Sequence, residues 1–335
     1  MVKIKRIISA VLCGILLVTL GACGTKRSYQ DTEDENSNLV VVGFSQPGAE
    51  SAWRVALTDS VKENFTEDKG YKLIYKDGRS KQDNQIKDIR TFIQQGVDYI
   101  ILSPIVETGW DTVLSEAKDA GIPVIICDRN VVVENESLYT AFVGSDFNAE
   151  GKNATLNLSK LFADTEKESL NIVHIQGTLG SSAQIGRTKA LEDAVAENEN
   201  WNIVAQDCGE FTKAKGREIM ANALQEVGAE NIDVVYCEND EEAYGAMDAM
   251  DEANVKYGDT GITVVSFDAL NSALVMCLNG KIAIEVECNP LQGPYIYTLI
   301  SLLESGKVVP KITYVHEECF TRNTITPEII ENRRF

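Results

Sequence analysis

Short runs rich in valine and isoleucine recur from Leu39 to the C-terminus, separated by longer amphipathic stretches, with starts roughly 25 to 35 residues apart. This alternation narrows the choice of folds more than any other feature. Parallel strands cannot be joined by a tight turn and need a crossover of a dozen or more residues, most often a helix, so the rhythm predicts an α/β architecture with parallel sheets. The predicted strands are LVVVGFS (39–45), YKLIYKDG (71–78), VDYIILSP (97–104), IPVIICD (122–128), YTAFVGS (139–145), LNIVHIQG (170–177), NIVAQDCG (202–209), IDVVYCEND (232–240), ITVVSFD (262–268), KIAIEVE (281–287) and KITYVHE (311–317). Between them Ile86, Ile89 and Ile93 fall at helical spacing, as do Val113, Leu114 and Ala117 ahead of the helix-ending Gly121 and Pro123. Eleven strands would make one unusually wide open sheet, whereas 335 residues suffice for two domains of ordinary size, so two smaller sheets are predicted.

The first residues differ in character. Lys3, Lys5 and Arg6 precede an apolar run from Ile7 to Leu20 and then Gly21, Ala22 and Cys23, the order of a signal peptide's basic, hydrophobic and cleavage regions. The run falls short of the ~20 residues of a membrane-spanning helix. Leu20-Gly21-Ala22-Cys23 resembles the lipobox of bacterial lipoproteins. That resemblance implies a signal peptide over 1–22, lipid modification of Cys23 and anchoring at the membrane outside the cytoplasm; a plain signal peptide or a membrane anchor is the competing reading. Residues 23–38, nearly free of apolar side chains, read as a flexible tether.

Cleavage removes three cations from a chain whose net charge is already -20, and such a field repels phosphate backbones, which argues against nucleic-acid binding. Beyond Cys13 and Cys23, six cysteines remain: Cys127, Cys208, Cys237, Cys277, Cys288 and Cys319. None shows CxxC or zinc spacing, so no metal site is expected. Most lie in apolar runs, where a free thiol behaves as a small buried hydrophobe. Buried thiols are therefore expected, with one disulfide, such as Cys277 with Cys288, as the alternative.

Ligands of open α/β sheets bind beyond the carboxyl ends of the strands. Those ends are polar here. The first strand ends in Phe44-Ser45-Gln46 and opens a loop carrying Glu50, Trp53 and Arg54; others end in Asp128-Arg129, Asn239-Asp240, Phe267-Asp268 and Glu287, and the run after Gly177 leads to Arg187. The segments GFSQPGAESAWR, DGRSKQDNQIKDIRTFIQQGVDYIILSP, PVIICDRN, QGTLGSSAQIGR, FTKAKG and NDEEAYGAMDAM follow in order over nearly the whole chain from Leu39. Together they resemble the sugar-binding type 1 periplasmic binding proteins of bacterial ABC importers, near the ribose binders in pattern and nearer the galactofuranose binders.

The resemblance implies two Rossmann-like lobes with parallel sheets, 39–143 plus 288–318 and 144–287 plus 319–335. They would be joined by three hinge crossings near Gly144-Ser145-Asp146, Glu287-Cys288-Asn289 and Glu317-Glu318. It further implies a monosaccharide held between the lobes, an ABC permease as partner, a monomer, no cofactor and no catalysis. Carried over position by position, the ligand shell comprises Phe44, Ser45, Glu50, Trp53, Arg54, Asp128, Arg129, Arg187, Phe211, Asn239, Asp268 and Glu287, while Lys81 and Gln82 lie in a stretch similar to the galactofuranose binders. Glu287 stands where ribose binders commonly have glutamine, which counts against ribose.

These residue types suit a sugar. Carboxylates accept from hydroxyls, guanidinium groups donate in a fixed fork, and Asn does both. Aromatic rings can cover the C–H faces. Near balance between Glu50, Asp128, Asp268 and Glu287 and the three arginines favours a neutral polyol over a phosphate or carboxylate. A sensory partner of a chemoreceptor or histidine kinase would use the same clamshell. An enzyme, such as a glycosidase pairing Asp128 with Asp268, would need more. No phosphate-binding GxxxxGK[ST], HExxH or EF-hand pattern occurs, and the two histidines, His174 and His316, form no cluster in sequence.

Overall fold

The computed structural model describes residues 39–163, 167 and 169–335. The predicted signal peptide over 1–22, Cys23 and the tether over 23–38 lie outside the described residues.

In the first part of the chain the order is β1 (Val40–Gln46), α1 (Ala52–Asn64), β2 (Tyr71–Asp77), α2 (Gln82–Gln95), β3 (Tyr99–Leu102), α3 (Asp111–Asp119), β4 (Val124–Asp128) and β5 (Ala141–Gly144). Then follow α4 (Phe147–Phe162), β6 (Leu170–Gln176), α5 (Ser182–Glu197), β7 (Trp201–Cys208), α6 (Lys213–Glu226), β8 (Val234–Cys237), α7 (Asp240–Glu252), β9 (Thr263–Asp268), α8 (Asn271–Leu278) and β10 (Ile284–Glu287). The last elements are α9 (Gly293–Glu304), β11 (Ile312–Tyr314), β12 (Cys319–Thr321) and α10 (Pro327–Asn332).

The strands form two six-stranded sheets of the same design, ordered β11-β5-β4-β3-β1-β2 and β12-β10-β9-β8-β6-β7. All pairings are parallel except β10 with β12. The architecture is two α/β lobes, as predicted. Every predicted run overlaps a strand; β12, only three residues long, was not foreseen, because a strand that short has no periodicity to read.

Burial follows from the layering. Central strands β4 and β9 are buried along their whole length, with helices covering both faces of each sheet, whereas edge strands β2 and β7 are largely part-exposed. The chain crosses between sheets after β5, after β10 and after β11. The second crossing leads into α9, which packs on α1 beside the first sheet. Gly293 permits that approach, since a Cβ there would lie 2.0 Å from the Ser60 carbonyl oxygen. Among the described residues no helix is long and apolar enough to cross a membrane.

The six cysteines from Cys127 to Cys319 are free thiols, so the alternative Cys277–Cys288 disulfide is not formed. Trp53 and Arg54, expected in a loop, stand in the first turn of α1. Ser51 caps that helix, its hydroxyl accepting from the Arg54 amide at 3.2 Å.

Candidate functional site

In each sheet the strand order reverses at one place: β1 lies between β2 and β3, and β6 between β7 and β8. Crevices open beyond the carboxyl ends of strands at such switch points. Residues following β1 and β4 meet residues following β8 and β9 around one cleft. Glu50, Trp53, Arg54, Asp128, Arg129, Arg187, Phe211, Asn239 and Asp268 all line it, so nine of the twelve predicted ligand residues are brought together.

Three are not. Phe44 is fully buried in the core, its ring 5.8 Å from that of Tyr75. The Ser45 hydroxyl donates to Asp88 Oδ2 at 3.1 Å on α2. Successive side chains of a strand point into the layers above and below the sheet, so residues inside β1 face helices and not the space beyond its end. Glu287 is engaged by Arg333 at 2.5 Å and accepts from the Glu318 amide at 3.1 Å, away from the cleft. Its departure from the ribose pattern therefore loses its bearing on the ligand. Lys81 and Gln82 do not line the cleft either; Gln82 donates to the Thr108 carbonyl at 2.6 Å.

The first lobe supplies a paired set of charges. Arg54 is 3% exposed and donates from Nε to Glu50 Oε1 at 3.2 Å and from Nη1 to Asp128 Oδ2 and, at 3.3 Å, to Ser103 Oγ. Burial alone would depress its pKa, but Asp128 and Glu50 outweigh burial and raise it. Burial likewise opposes ionisation of Glu50, yet Arg54 and Arg129 hold its carboxyl below the ordinary value. Asp128 ends β4 with φ of 62° in the left-handed region, and its amide donates to Gln292 Oε1 at 2.9 Å. Left-handed φ values recur at Phe211 (60°) and Asp268 (109°). Strain of this kind tends to collect where surroundings fix a functional geometry.

Arg129 is the exception to this pairing. It is 3% exposed, donates to the Ile105 carbonyl at 3.2 Å, and lies 3.9 Å from Asp128 and 5.1 Å from the centre of the Phe211 ring across the cleft. Burial, then repulsion from Arg54, pushes its pKa down to about 10. A guanidinium has five N–H donors, and among the described residues the bond to Ile105 is the one it makes.

The second lobe is organised by Arg187 on α5, which is 2% exposed. Its Nε donates to Glu150 Oε2 at 2.7 Å and its Nη1 to the Glu238 carbonyl at 2.5 Å, while Nη2 lies 4.0 Å from Asp268. The guanidinium sits near the rings of Phe147 and Phe267, at 5.4 and 4.7 Å. The Glu238 carboxylate is fully used: Oε1 receives Thr188 at 2.6 Å and faces His174 Nε2 at 3.0 Å, and Oε2 receives the Gly177 amide at 2.8 Å. His174 is thus structural, as its strand setting suggested. Gly177 is required for a second reason, since a Cβ there would fall 1.9 Å from the Phe211 ring. Asn239 caps α7 by accepting from the Glu242 amide at 2.9 Å and donates to the Phe211 carbonyl at 3.3 Å. Burial raises the Asp268 pKa well above its ordinary value, with Arg187 opposing.

The lobes touch over the cleft. The Glu107 amide donates to the Gly180 carbonyl at 2.9 Å, and the Asn130 amide to Ser182 Oγ at 2.9 Å. Sequence reasoning missed Phe147, Ser51, Ala183 and Cys288, which also line the cleft. It also missed Glu150, Glu238 and Gln292, which hold the lining from behind. Asp146, the N-cap of α4, was the one local signal for Phe147 and Glu150; nothing local pointed to the others.

A family model described as a periplasmic binding protein domain matches residues 42–307. The galactofuranose-binding protein YtfQ of Escherichia coli (strain K12) is 37% identical over 292 residues, 87% of this chain and 90% of the relative. The periplasmic binding protein component of the arabinose ABC transporter from Shewanella sp. ANA-3, solved with alpha- and beta-L-arabinofuranose, is 38% identical. Its TM-score is 0.81, over 88% of this chain and 95% of that one. A protein from Mycobacterium smegmatis solved with beta-D-fucofuranose is 39% identical with TM-score 0.80, over 85% and 92% of the two chains.

Proposed function

The chain belongs to the periplasmic binding protein family, and from that premise we propose that it captures a neutral monosaccharide in furanose form between its lobes and delivers it to an ABC permease. Galactofuranose is the first candidate, arabinofuranose the second. Similarity to proteins whose ligands are galactofuranose, arabinofuranose and fucofuranose supports a furanose. One observation carries the proposal: Arg129, buried in the cleft, retains donors that the protein leaves unspent. Leaving buried donors unmade is costly, and hydroxyls from a polyol would complete them. A phosphate would instead meet Glu50, Asp128 and Asp268 around the same space.

In this proposal the lobes, 39–143 plus 288–318 and 144–287 plus 319–335, rock about the three crossings. The closed form is selected by sugar because contacts from both sides form only there. The Glu107–Gly180 and Asn130–Ser182 bonds are contacts of that form. Lipid at Cys23 would hold the receptor near its permease, raising the local concentration.

The test is a thermal-shift and calorimetric panel of pentoses and hexoses in furanose and pyranose forms. A Kd on the order of 1 μM, roughly 8 kcal/mol, is expected for the cognate furanose. At a hundredfold excess it should stabilise the protein by about 2.7 kcal/mol. Absence of a shift with every sugar would overturn the proposal; tighter binding of a pyranose would overturn the ring form alone.

A further inference from the structure

The crossings between the lobes enclose a second group of donors, one of which, Cys288, also borders the sugar cleft. Glu150 on α4, Cys288 in the second crossing and Glu317 in the third bring one carboxylate oxygen each and the sulfur within 4.8 Å of one another. Glu150 is 2% exposed. Its Oε2 is committed to Arg187 at 2.7 Å, while its Oε1 is buried and has no hydrogen-bond partner. Glu150 faces both Cys288 and Glu317, and with Oε2 spent on Arg187 the unpartnered Oε1 is its oxygen free to join the cluster. Glu317 Oε1 accepts from Ser145 Oγ at 2.5 Å and from the Asn289 amide at 2.8 Å, which leaves its second oxygen without a donor among the described residues. The Ser145 hydroxyl, from the first crossing, is 3.4 Å from Cys288 Sγ.

We propose that Glu150, Cys288 and Glu317 form a site for a borderline-soft divalent cation of the zinc class, closed by the Ser145 hydroxyl or a water as fourth ligand. Charge points the same way. Two carboxylates and a thiolate face a single arginine, Arg187, whose guanidinium also lies 4.0 Å from Asp268. A divalent ion brings the cluster to neutrality. The mixed sulfur and oxygen donors suit zinc better than calcium or magnesium, which take oxygen ligands in larger number. Zinc bonds of roughly 2.0 to 2.3 Å require the donors to draw together slightly from their present spacing. A neighbouring cavity of about 490 Å³, lined by Glu150, Glu317, Asp146, His316 and Glu318, gives an acidic path from outside. Because the ion takes Glu150 by Oε1, Arg187 keeps its bond to Oε2. The ion fastens α4 to two of the crossings and leaves the sugar-facing arginine in place.

The test is metal titration of the metal-free full chain without sugar, so its result is independent of the sugar proposal. One equivalent of cobalt(II) should give a thiolate-to-cobalt charge-transfer band, and zinc should displace it. Cys288→Ser should abolish the band. Glu317→Gln, which keeps an acceptor for Ser145 and Asn289, should weaken zinc binding at least tenfold while circular dichroism stays unchanged. A native chain that shows no thiolate band overturns the proposal whatever the variants do. A band that survives in Cys288→Ser assigns the metal to another cysteine and overturns it equally.

Discussion

The two lobes build their halves of the cleft from opposite electrostatic materials. In the first, Arg54 and Arg129 stand against Glu50 and Asp128, and Arg54 joins both acids in one hydrogen-bonded chain. In the second, Arg187 bonds Glu150 and lies near Asp268, and the same lobe buries Glu238, Asp240, Glu242 and Glu285, each of the six acids at most 5% exposed. The first half is held by ion pairs in balanced number, with Arg129 3.9 Å from Asp128 and most of its donors unspent among the described residues. The second carries more buried carboxyls than one arginine can neutralise, and burial opposes their ionisation, raising the pKa of Glu150, Asp240, Glu242, Asp268 and Glu285 alike. A pre-paired face met by an acidic one explains why closure can bring a spare guanidinium against Phe211 without requiring an anionic ligand.

Removing the single cation of the second half should have the largest effect. Arg187→Met keeps much of the volume but leaves Glu150 without its partner, and breaking a buried pair costs about 3 to 5 kcal/mol. A chemical denaturation midpoint within error of the native chain would show that the surrounding carboxyls are already neutral and that Arg187 holds nothing together.

Acid should separate the lobes next. Asp240 accepts from Ser266 Oγ at 2.6 Å and the Leu270 amide at 2.9 Å and faces Glu285, with Glu241 beside it. Burial pushes its pKa up to about 7. Native Asp240 therefore binds a proton that the unfolded chain has lost. Its stabilising contribution is full below the unfolded value of 3.8 and fades as pH rises to about 7. The slope approaches about 1.4 kcal/mol per pH unit for one group. Glu50 in the first lobe has the opposite sign, since its lowered pKa gives stability that disappears only as pH falls through the acid range. Amide-exchange protection factors, with the intrinsic pH dependence removed, should thus rise in the second lobe between pH 8 and 5 while those of the first lobe stay level. Asp240→Asn should flatten the difference, and protection factors that fall in the second lobe at pH 5 would refute the comparison.

The lobes also differed in how far they could be read from the sequence. Their strands were legible because apolar runs are local, and Asp128, Asn239 and Asp268 were legible because they end those runs. Ser45 and Phe44 were misplaced because pleat direction at the end of β1 depends on where the strand stops. Glu287 was misplaced because Arg333, which claims it, lies 46 residues further along the chain. Glu150 and Glu238 escaped notice for the same reason, their partner Arg187 being 37 and 51 residues away. The Glu150–Cys288–Glu317 cluster has no spacing motif at all, since each member comes from a separate passage of the chain.

The third effect concerns ligand and not stability. Arg129's ion-pair partner among the described residues is Asp128, 3.9 Å away and already bonded to Arg54, so Arg129→Ala should leave the melting temperature nearly unchanged yet weaken sugar binding at least tenfold, about 1.4 kcal/mol. Unchanged calorimetric affinity would remove Arg129 from the ligand shell and with it the unspent-donor account of the first half.

The smallest effect tests the contact between the halves. Ser182→Ala removes the acceptor of the Asn130 amide while leaving every charge in place. A hydrogen bond of this kind contributes about 0.5 to 1.5 kcal/mol, and it exists only while the lobes meet. Sugar affinity should fall roughly two- to tenfold, with the loss appearing in the dissociation rate because the closed state is what the bond stabilises. An equal loss in stability of the sugar-free protein would mean that the contact is permanent, and that the two halves form one fixed surface, not a pair that closes.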